Sequence, residues 1–398
     1  MLPVPIRRIG KADIVGFGID AVAMFRNSIQ PAVHRPVAGF GHDAGWRNDR
    51  HIRLVGDTTG NGRSDIIGFG ENGVVVSYNN GSNNFSAPSL ALGGEFGASA
   101  EANSWAVSKH VRYVADILKR GYVDIIGFGD RGTYISLNNG DGSFAPARLA
   151  VPHFGFDPIA GDFKRERHLR FLGDVTGNGR PDIVAFGETS VQVSLNNGDG
   201  TFRDARPVIF GFTYSSGGWR IDKHPRMLAD LTGDGKVDIV GFAEAGVYVA
   251  LNIGNGTFQE PRLVLNAFGA NAGGWQVDAH PRYIADVTGN GWGDIVGFAN
   301  GGVFVALGNG DGTFQPPKLV LEAFGYEAGG WRVGIHPRYV VDLTGDGAAD
   351  IVGISDSGVV VSYNDGKGNF GPPQIICNHF GPSQGWDVEK TVRLVANL

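Results

Sequence analysis

The sequence predicts an all-β protein, a β-propeller of seven blades that each contain four antiparallel strands. Three observations support this prediction: one phrase recurs seven times, each repeat holds four short apolar segments, and the two ends of the chain complement each other. The recurring phrase is DIVGFG or a close variant, and its first residue lies at Asp13, Asp65, Asp124, Asp182, Asp238, Asp294 and Asp350. Because a fixed period over nearly the whole chain is the signature of a repeat architecture, we expect a single domain spanning 1–398.

The last complete repeat shows the four strands. The segments PRYVVDL, DIVGIS, GVVVSYN and PPQIICN are rich in β-branched residues, and Gly, Asn and Asp occupy the short stretches between them. Asp-Gly and Asn-Gly pairs favour the positive φ angles of tight hairpins, and no segment has the 3.6-residue apolar period of a helix. Four antiparallel strands per repeat form a propeller blade. A linear β-solenoid is the alternative, but its parallel coils do not need three hairpin turns per repeat.

The two ends of the sequence predict how the ring closes. The first repeat opens at ADIVGFG without the strand that precedes this phrase in every other copy. The chain finishes with KTVRLVANL, which matches RHIRLVGDT at 50–58 and then stops. We therefore expect the C-terminal strand to complete the N-terminal blade, which leaves no unpaired inner edge.

Composition excludes several classes of protein. The formal net charge is −6 and charged residues are 19 %, so the chain lacks the clustered basic surface that nucleic acid requires. Cys377 is the only cysteine, which rules out an intrachain disulfide and a cysteine-based zinc site. The start MLPVPIRRIG contains prolines where a signal peptide needs an apolar run, and no stretch approaches 18 uninterrupted apolar residues. We predict a soluble protein without membrane insertion, cytoplasmic or secreted by a non-classical route.

Strand direction assigns the connections of each blade to two faces. Antiparallel order sends the turn between strands one and two, and the turn between strands three and four, to one face. The turn between strands two and three lies on the other face, together with the long link from strand four to the next blade. The acidic loops and the links should therefore form separate sites.

The loops between strands one and two carry a calcium-like pattern, Asp-x-Thr-Gly-(Asn/Asp)-Gly-x-x-Asp. Oxygen donors at positions one, three, five and nine, a carbonyl at seven and Gly in the turn could surround Ca²⁺ and brace the loop. The two loops with three carboxylates are the candidate metal sites: Asp230, Asp234 and Asp238, and Asp342, Asp346 and Asp350. The alternative is that these side chains cap tight turns by accepting backbone N–H groups.

The links share a His placed two residues before an Arg. This His occurs in six links, at His51, His110, His168, His224, His280 and His336, and the seventh link has Thr391. A propeller spaces six such residues around a ring, so they cannot form one metal cluster, and no unique Ser or Cys stands beside any of them as a nucleophile. For a single His the alternative is a structural hydrogen bond to the loop, and for the link Trp it is a wedge between blades.

The functional interpretation is a set of equivalent pockets between consecutive blades. Each pocket would combine the His and Arg of the link with the turn between strands two and three, which offers Glu71, Asp130, Glu188, Glu244, Asn300 or Asp356. The candidate ligand-binding residues beside the six His are Arg226, Arg282, Arg338, Trp219, Trp275, Trp331, Tyr326, Tyr134, Tyr248 and Glu244. Apolar rings beside convergent polar groups suit a sugar, which has an apolar C–H face and hydroxyls at its rim.

The run FGYEAGGWRVGIHPRYVVDLTGDGAADIVG, the opening LPVP…ADIVGFG and the closing KTVR…ANL closely resemble the family of the fungal lectin of Psathyrella velutina. The resemblance covers essentially the whole chain. It implies a seven-bladed, integrin-like propeller that binds terminal N-acetylglucosamine, and also sialic acid, in pockets between blades. It also implies that a tyrosine and a histidine pack on the sugar and that calcium can occupy some blade loops.

One aromatic position of the links departs from the family pattern. We assign this position to the aromatic residues Tyr326 and Phe156, and to His42, Ala98, Thr213, Ala270 and Pro382 in the other links. The third link also differs, because Phe163 replaces the Trp. The pockets with His336, His280 and His224 are the most family-like.

We predict a carbohydrate-binding lectin without catalysis, whose partners are glycans or glycoproteins ending in N-acetylglucosamine and whose repeated pockets act multivalently. The alternative is an integrin-like adhesion propeller that binds protein through its broad face. A propeller enzyme would place one asymmetric site at the axis, and no residue of that kind is unique to one repeat.

Overall fold

The computed structural model describes residues 12–27, 32–396 and 398. Seven four-stranded antiparallel sheets form the blades of a propeller. The strands of each blade are given in their spatial order, as strands one to four. Blade 1 consists of Val392–Ala396, Asp13–Phe17, Ala21–Phe25 and Val33–Ala38. Blade 2 consists of Ile52–Gly56, Asp65–Phe69, Gly73–Ser77 and Ser89–Gly93. Blade 3 consists of Val111–Ala115, Asp124–Phe128, Thr133–Ser136 and Arg148–Val151.

The remaining blades follow the same plan. Blade 4 consists of Leu169–Gly173, Asp182–Phe186, Val191–Ser194 and Arg206–Ile209. Blade 5 consists of Arg226–Ala229, Asp238–Ala243, Gly246–Ala250 and Arg262–Leu265. Blade 6 consists of Arg282–Ala285, Asp294–Ala299, Gly302–Ala306 and Lys318–Leu321. Blade 7 consists of Arg338–Val341, Asp350–Ser355, Gly358–Ser362 and Gln374–Cys377. The prediction of an all-β, seven-bladed propeller is confirmed.

Two short hairpins and four 3-10 turns lie outside the seven four-stranded sheets in the described part of the chain. Two hairpins, Asn79–Gly81 with Asn84–Phe85 and Asn252–Gly254 with Thr257–Phe258, extend the third-to-fourth strand turns of blades 2 and 5. The helices are single 3-10 turns in the links, at His42–Ala44, Ala100–Ala102, Pro158–Ala160 and Pro382–Gln384. Across the described part of the chain, no helix has the length and apolar character to cross a membrane.

The C-terminal strand closes the ring, as predicted. Val392–Ala396 pairs antiparallel with Asp13–Phe17 and supplies the first strand of blade 1. The side chain of Asn27 adds a tie to the neighbouring blade, because its amide donates to the carbonyl of Leu343 at 2.7 Å. First strands of consecutive blades pack against each other in blades 2 and 3 and in blades 5, 6 and 7. The first strands therefore face the axis of the ring.

The second strand of each blade is the centre of the core. All five residues of Asp65–Phe69 are buried, as are those of Asp124–Phe128 and Asp182–Phe186, because neighbouring blades cover both faces of the sheet. Each apolar cluster spans two blades; one joins Val184 and Val193 of blade 4 to Ile239 of blade 5. The burial of apolar surface therefore holds the blades together rather than stabilising each blade by itself.

A glycine in the second strand makes room for the link aromatic. At Gly353 an added Cβ would overlap the indole of Trp331, and the same holds at Gly297 for Trp275. Blade 4 has Ala185 at this position, and its link carries Phe163 in place of Trp. The smaller ring compensates for the larger strand residue, which explains the departure of the third link.

We predict that Gly353→Ala lowers the free energy of unfolding by about 1–3 kcal/mol, because the new methyl group overpacks the contact with Trp331. Adding Trp331→Phe should restore part of the loss by reproducing the blade 4 pairing. The control is Gly334→Ala, since a Cβ there meets no neighbouring atom. Denaturant unfolding of the natural protein, the single variants Gly353→Ala and Trp331→Phe and the double variant measures the coupling. Additive losses in the double variant would contradict the size-compensation argument.

Candidate functional site

Each link joins two neighbouring turns on one face of the ring. In the link between blades 6 and 7, the N–H groups of Tyr326 and Glu327 donate to the carbonyls of Ala299 and Asn300 at 3.2 and 3.0 Å. At its other end, His336 Nε2 lies 3.1 Å from Asp356 Oδ1 in blade 7. The links and the turns between strands two and three therefore share a face, as strand direction predicts. We call it the link face, and the opposite side the acidic-loop face.

All six predicted pairings of a link His with the second-to-third strand turn occur. The pairs are His51 with Glu71, His110 with Asp130, His168 with Glu188, His224 with Glu244, His280 with Asn300 and His336 with Asp356. The distance from Nε2 to the acceptor oxygen is 2.8–3.1 Å. The six His residues are only 3–7 % exposed, whereas the side chains of the five acids are at least 42 % exposed. The acid, not the His, is the group presented to a ligand.

The second ring nitrogen fixes the tautomer of each His. Nδ1 of His336 accepts the backbone N–H of Arg332 at 3.1 Å, and Nδ1 of His224 accepts that of Arg220 at 3.0 Å. The other four His make the equivalent bond at 3.0–3.1 Å. Since Nδ1 is an acceptor, the proton is on Nε2, which points at the acid. A neutral His thus positions the acid on the link face.

The arginines predicted as ligand contacts need a correction. Arg226, Arg282 and Arg338 are at most 4 % exposed, and their Nη1 groups donate to the carbonyls of Phe212, Phe268 and Phe324 at 2.8–2.9 Å. Each guanidinium also lies over a Phe ring of the preceding blade, at 5.4–5.6 Å from the centroid. Burial lowers the pKa of all three to about 10, so they remain charged at neutral pH. They hold the links in place and have no free donor surface for a ligand.

The phenylalanine that receives each buried arginine has a left-handed backbone. Phe324 has φ 59°, Phe268 has φ 60° and Phe212 has φ 56°. A left-handed backbone at a bulky residue costs about 1–3 kcal/mol of conformational free energy and is kept only where surrounding contacts hold it. Here the hydrogen bond donated by the arginine and the burial of the Phe ring hold it.

The fourth link corrects the alignment of the aromatic position. Phe212 has the left-handed backbone and the buried ring of the link phenylalanines, whereas Phe210 is 72 % exposed. The Phe-Gly pair at 210–211 is therefore two residues out of register, and Thr213 occupies the place of the glycine. The equivalent of Tyr326 in this link is Tyr214, not Thr213.

In three links a basic side chain that was not predicted from the sequence covers the aromatic ring. Arg332 stacks over Tyr326 at 3.5 Å and Arg220 stacks over Tyr214 at 3.7 Å. Lys164 lies 3.5 Å from the ring centroid of Phe156. Each cation also donates to the carbonyl of its aromatic residue, at 2.7–2.8 Å. The sequence signal for these cations is a basic residue directly after the link Trp or Phe.

Aromatic and aliphatic side chains form an apolar wall beside the His–acid pair. Trp275 packs edge-to-face on Phe304 at 6.4 Å, and Phe304 pairs across the strands with Leu319, which is 44 % exposed. Trp219 with Tyr248, and Trp105 with Tyr134, repeat this arrangement at 6.1 and 6.2 Å. Trp219, Trp275 and Trp331 are largely buried, so they mainly wedge the link against the blade.

The structure contains a cleft at one of these walls. It has a volume of about 560 Å³ at blade 6, and its lining includes Trp275, His280, Asn300, Phe304 and Leu319. A second cleft of about 320 Å³ lies where the last two links meet, and its lining includes Ile335, Pro382, Trp386, Asp387 and Val388. Both clefts lie on the link face. The first is lined by a single link together with blade 6, and the second takes residues from two consecutive links.

Blade 1 lacks the polar pair. Thr391 occupies the place of the His, and its hydroxyl donates to the carbonyl of Asp387 at 2.6 Å. Ile19 occupies the place of the acid in the turn between Asp13–Phe17 and Ala21–Phe25. Both members of the pair are absent from this blade, so the seventh position differs in chemistry from the other six.

The carboxylates of the acidic loops are engaged with their own backbone. Asp230 accepts the N–H groups of Gly233 and Gly235 at 2.7 and 2.8 Å, and Asp238 accepts those of Leu231 and Asn252 at 2.9 and 2.7 Å. Equivalent bonds engage Asp342, Asp346 and Asp350. Burial raises the pKa of Asp238 and Asp350 to about 6.

The fit of these loops to a cation is poor in this arrangement. Asp234 accepts the N–H of Lys236 at 2.9 Å, and its other oxygen lies 2.5 Å from the Lys236 ammonium. Among the residues that the structure describes, no three His, Cys, Asp or Glu side chains are grouped to hold a metal ion. The geometry supports turn capping, and calcium binding stays a prediction of the sequence.

Known proteins share the repeat and the fold. Residues 174–222 and 230–280 match the model of the FG-GAP-like repeat. Among curated proteins, none matches the chain. A solved structure of an Agrocybe aegerita lectin, described by its specific recognition of non-reducing terminal N-acetylglucosamine, is 53 % identical with a TM-score of 0.96. The similarity covers 100 % of this chain and 98 % of that one.

More distant similarity shows the fold alone. The Tc holotoxin pore of Photorhabdus luminescens is 18 % identical, with a TM-score of 0.50, over 77 % of this chain and 13 % of that one. At these levels the relationship says nothing about activity.

We predict that Arg338→Met lowers the free energy of unfolding by about 2 kcal/mol, because the buried carbonyl of Phe324 loses its donor. The control is Arg203→Met, which removes an exposed guanidinium without a hydrogen-bond or ion-pair partner among the described residues and should change stability by less than about 0.5 kcal/mol. Denaturant unfolding measures both. Unchanged stability of Arg338→Met together with lost ligand binding would restore Arg338 as a ligand contact.

A pH titration tests the role of the histidines. Burial lowers the pKa of His51, His110, His168 and His224 below the ordinary 6.5. As pH falls below 6.5, the imidazoles of the unfolded chain bind protons and those of the folded protein do not. The free energy of unfolding therefore decreases. Imidazole ¹⁵N NMR should show the Nε2–H tautomer persisting below pH 6.5. Four imidazolium signals at that pH would contradict the assignment.

Removal of divalent cations tests the acidic loops. Because the loop carboxylates already accept backbone N–H groups, we expect a chelator to leave the midpoint of thermal unfolding unchanged. Differential scanning calorimetry with EDTA, and with added Ca²⁺ as the control, measures this. A midpoint that falls by several degrees with EDTA and recovers with Ca²⁺ would show that the loops rearrange around the cation.

Proposed function

Because this chain belongs to the family of fungal β-propeller lectins that includes the Agrocybe aegerita lectin, we propose that it binds glycans ending in N-acetylglucosamine. The pockets lie on the link face between consecutive blades, at the six His–acid pairs. The observation that supports this most strongly is the exposed acid or amide held by a buried neutral His beside an apolar wall.

The geometry suits a pyranose. A carboxylate offers about four acceptor positions, and the His occupies one of them, so the remaining ones are free to accept sugar hydroxyls. At blade 6 the acceptor is Asn300, and the exposed side chain of Leu319 beside Phe304 offers an apolar surface for the C–H face of the ring. The acetamido methyl group would occupy a small apolar niche of this kind, while its amide bonds to the backbone of the link.

The arrangement also supports binding without catalysis. Hydrolysis of a glycosidic bond ordinarily requires two carboxyl groups about 5 to 9.5 Å apart on opposite sides of the bond. The lining of the blade 6 cleft contains a single polar acceptor in the turn, Asn300, which cannot act as an acid or a base. We therefore propose a lectin that acts through several pockets, so that weak individual sites gain strength on a multivalent glycan surface. Binding of sialic acid stays a prediction from the family resemblance.

A glycan array tests the proposal. We expect binding to glycans with non-reducing terminal N-acetylglucosamine, and weaker binding to the same glycans capped with galactose. Asp356→Ala removes one acceptor from the link face and should lower the signal. The matched control, Asp346→Ala on the acidic-loop face, should leave it unchanged. Absence of binding to every N-acetylhexosamine-terminated glycan would contradict the lectin function and favour a protein-binding propeller.

A further inference from the structure

The six pockets are not chemically equivalent, because the residue before the His differs between links. In blade 2 this residue is Arg50, whose Nε and Nη2 groups contact both carboxylate oxygens of Glu71, the second at 2.7 Å. His51 also contacts Glu71, at 2.9 Å. The paired guanidinium lowers the pKa of Glu71 to about 2. The acceptor oxygens of this pocket are therefore committed to groups of the protein itself.

The pocket of blade 4 is occupied in a related way. Arg167 Nη1 lies 3.6 Å from Glu188 Oε2, His168 lies 3.0 Å from the same oxygen, and the hydroxyl of Ser215 donates to the other oxygen. Arg167 also lies over the ring of Tyr214 at 4.4 Å, which Arg220 covers at 3.7 Å. Both the acceptor and the aromatic ring of this pocket are thus covered by side chains from two consecutive links.

The other four pockets keep their acceptors available. Before the His they have Lys109, Lys223, Ala279 and Ile335. Within the described residues, the neutral link His is the sole basic side chain within 4.0 Å of the carboxylates of Asp130, Glu244 and Asp356. Blade 6 has the neutral Asn300, whose oxygen lies 2.8 Å from His280 and whose amide group is a donor as well. A sugar hydroxyl meets no competing guanidinium at these four positions.

We propose that Arg50 and Arg167 determine which pockets take sugar, by closing the pockets of blades 2 and 4 from within the chain. This inference rests on the proposed function. The bidentate contact of Arg50 with Glu71 is a strong and directional pairing, which an incoming hydroxyl must displace before it can bond to the acid. At Glu188 the Ser215 hydroxyl and His168 contact the two oxygens, and Arg167 adds its charge at 3.6 Å and covers the Tyr214 ring. The pockets of blades 3, 5, 6 and 7 therefore fill first, and those of blades 2 and 4 bind at least tenfold more weakly.

Crystals of the full chain soaked at increasing concentrations of N-acetylglucosamine test this assignment, because each pocket is refined separately. We expect density at Asp130, Glu244, Asn300 and Asp356 at concentrations at least tenfold lower than at Glu71 and Glu188. The double variant Arg50→Ala/Arg167→Ala should fill all six pockets together. The control Lys223→Ala changes the same link position in blade 5 and should leave the order unchanged.

The outcomes separate the two proposals. If all six pockets of the natural protein fill together, or if the double variant leaves the Glu71 and Glu188 pockets empty, the role of the two arginines is overturned while the lectin function stands. If no pocket takes sugar in any variant, the proposed function itself fails. Isothermal titration calorimetry of the natural protein and of the double variant counts the binding sites of each in solution, without the influence of crystal packing.

Discussion

The architecture depends on a buried arginine at the start of each first strand that has no carboxylate partner. Its guanidinium donates to the carbonyl of a phenylalanine in the link, at 2.8–3.2 Å in all seven links. Burying an unpaired charge is costly, and here it is offset by the carbonyl and by aromatic rings, with Arg338 lying over Phe298 and Trp331. One interaction thereby fixes a left-handed residue, a buried ring and the path of the link.

The functional groups follow from that constraint. Once Phe324 is fixed, Trp331 enters the space left by Gly353, and the turn after it brings the N–H of Arg332 to Nδ1 of His336. The opposite ring nitrogen then faces Asp356. The acid on the surface is held by a chain of contacts that begins inside the core, so a polar group in a loop has the precision of a rigid element.

Periodic features could be predicted from the sequence, and features that depend on packing between blades could not. The seven blades, the closure by Val392–Ala396 and the pairing of each His with a residue twenty positions later all recur with the repeat. The role of Arg338 could not be read from its position, because only the neighbouring blade shows that it is buried. The assignment of the aromatic position to Thr213 was wrong because only burial shows that Phe212, and not Phe210, is the equivalent of the other link phenylalanines. The substitutions Ala185 and Phe163 can be explained only from the structure, where both residues lie in the same buried cluster.

The central claim is that ligand binds on the link face and leaves the acidic-loop face untouched. Hydrogen–deuterium exchange of the full chain, with and without N-acetylglucosamine, tests it most directly. Slower exchange on adding the sugar should appear in links such as 266–281 and 322–337, while the loops at 230–238 and 342–350 exchange at the same rate. Slower exchange confined to those loops, with the links unchanged, would contradict the account.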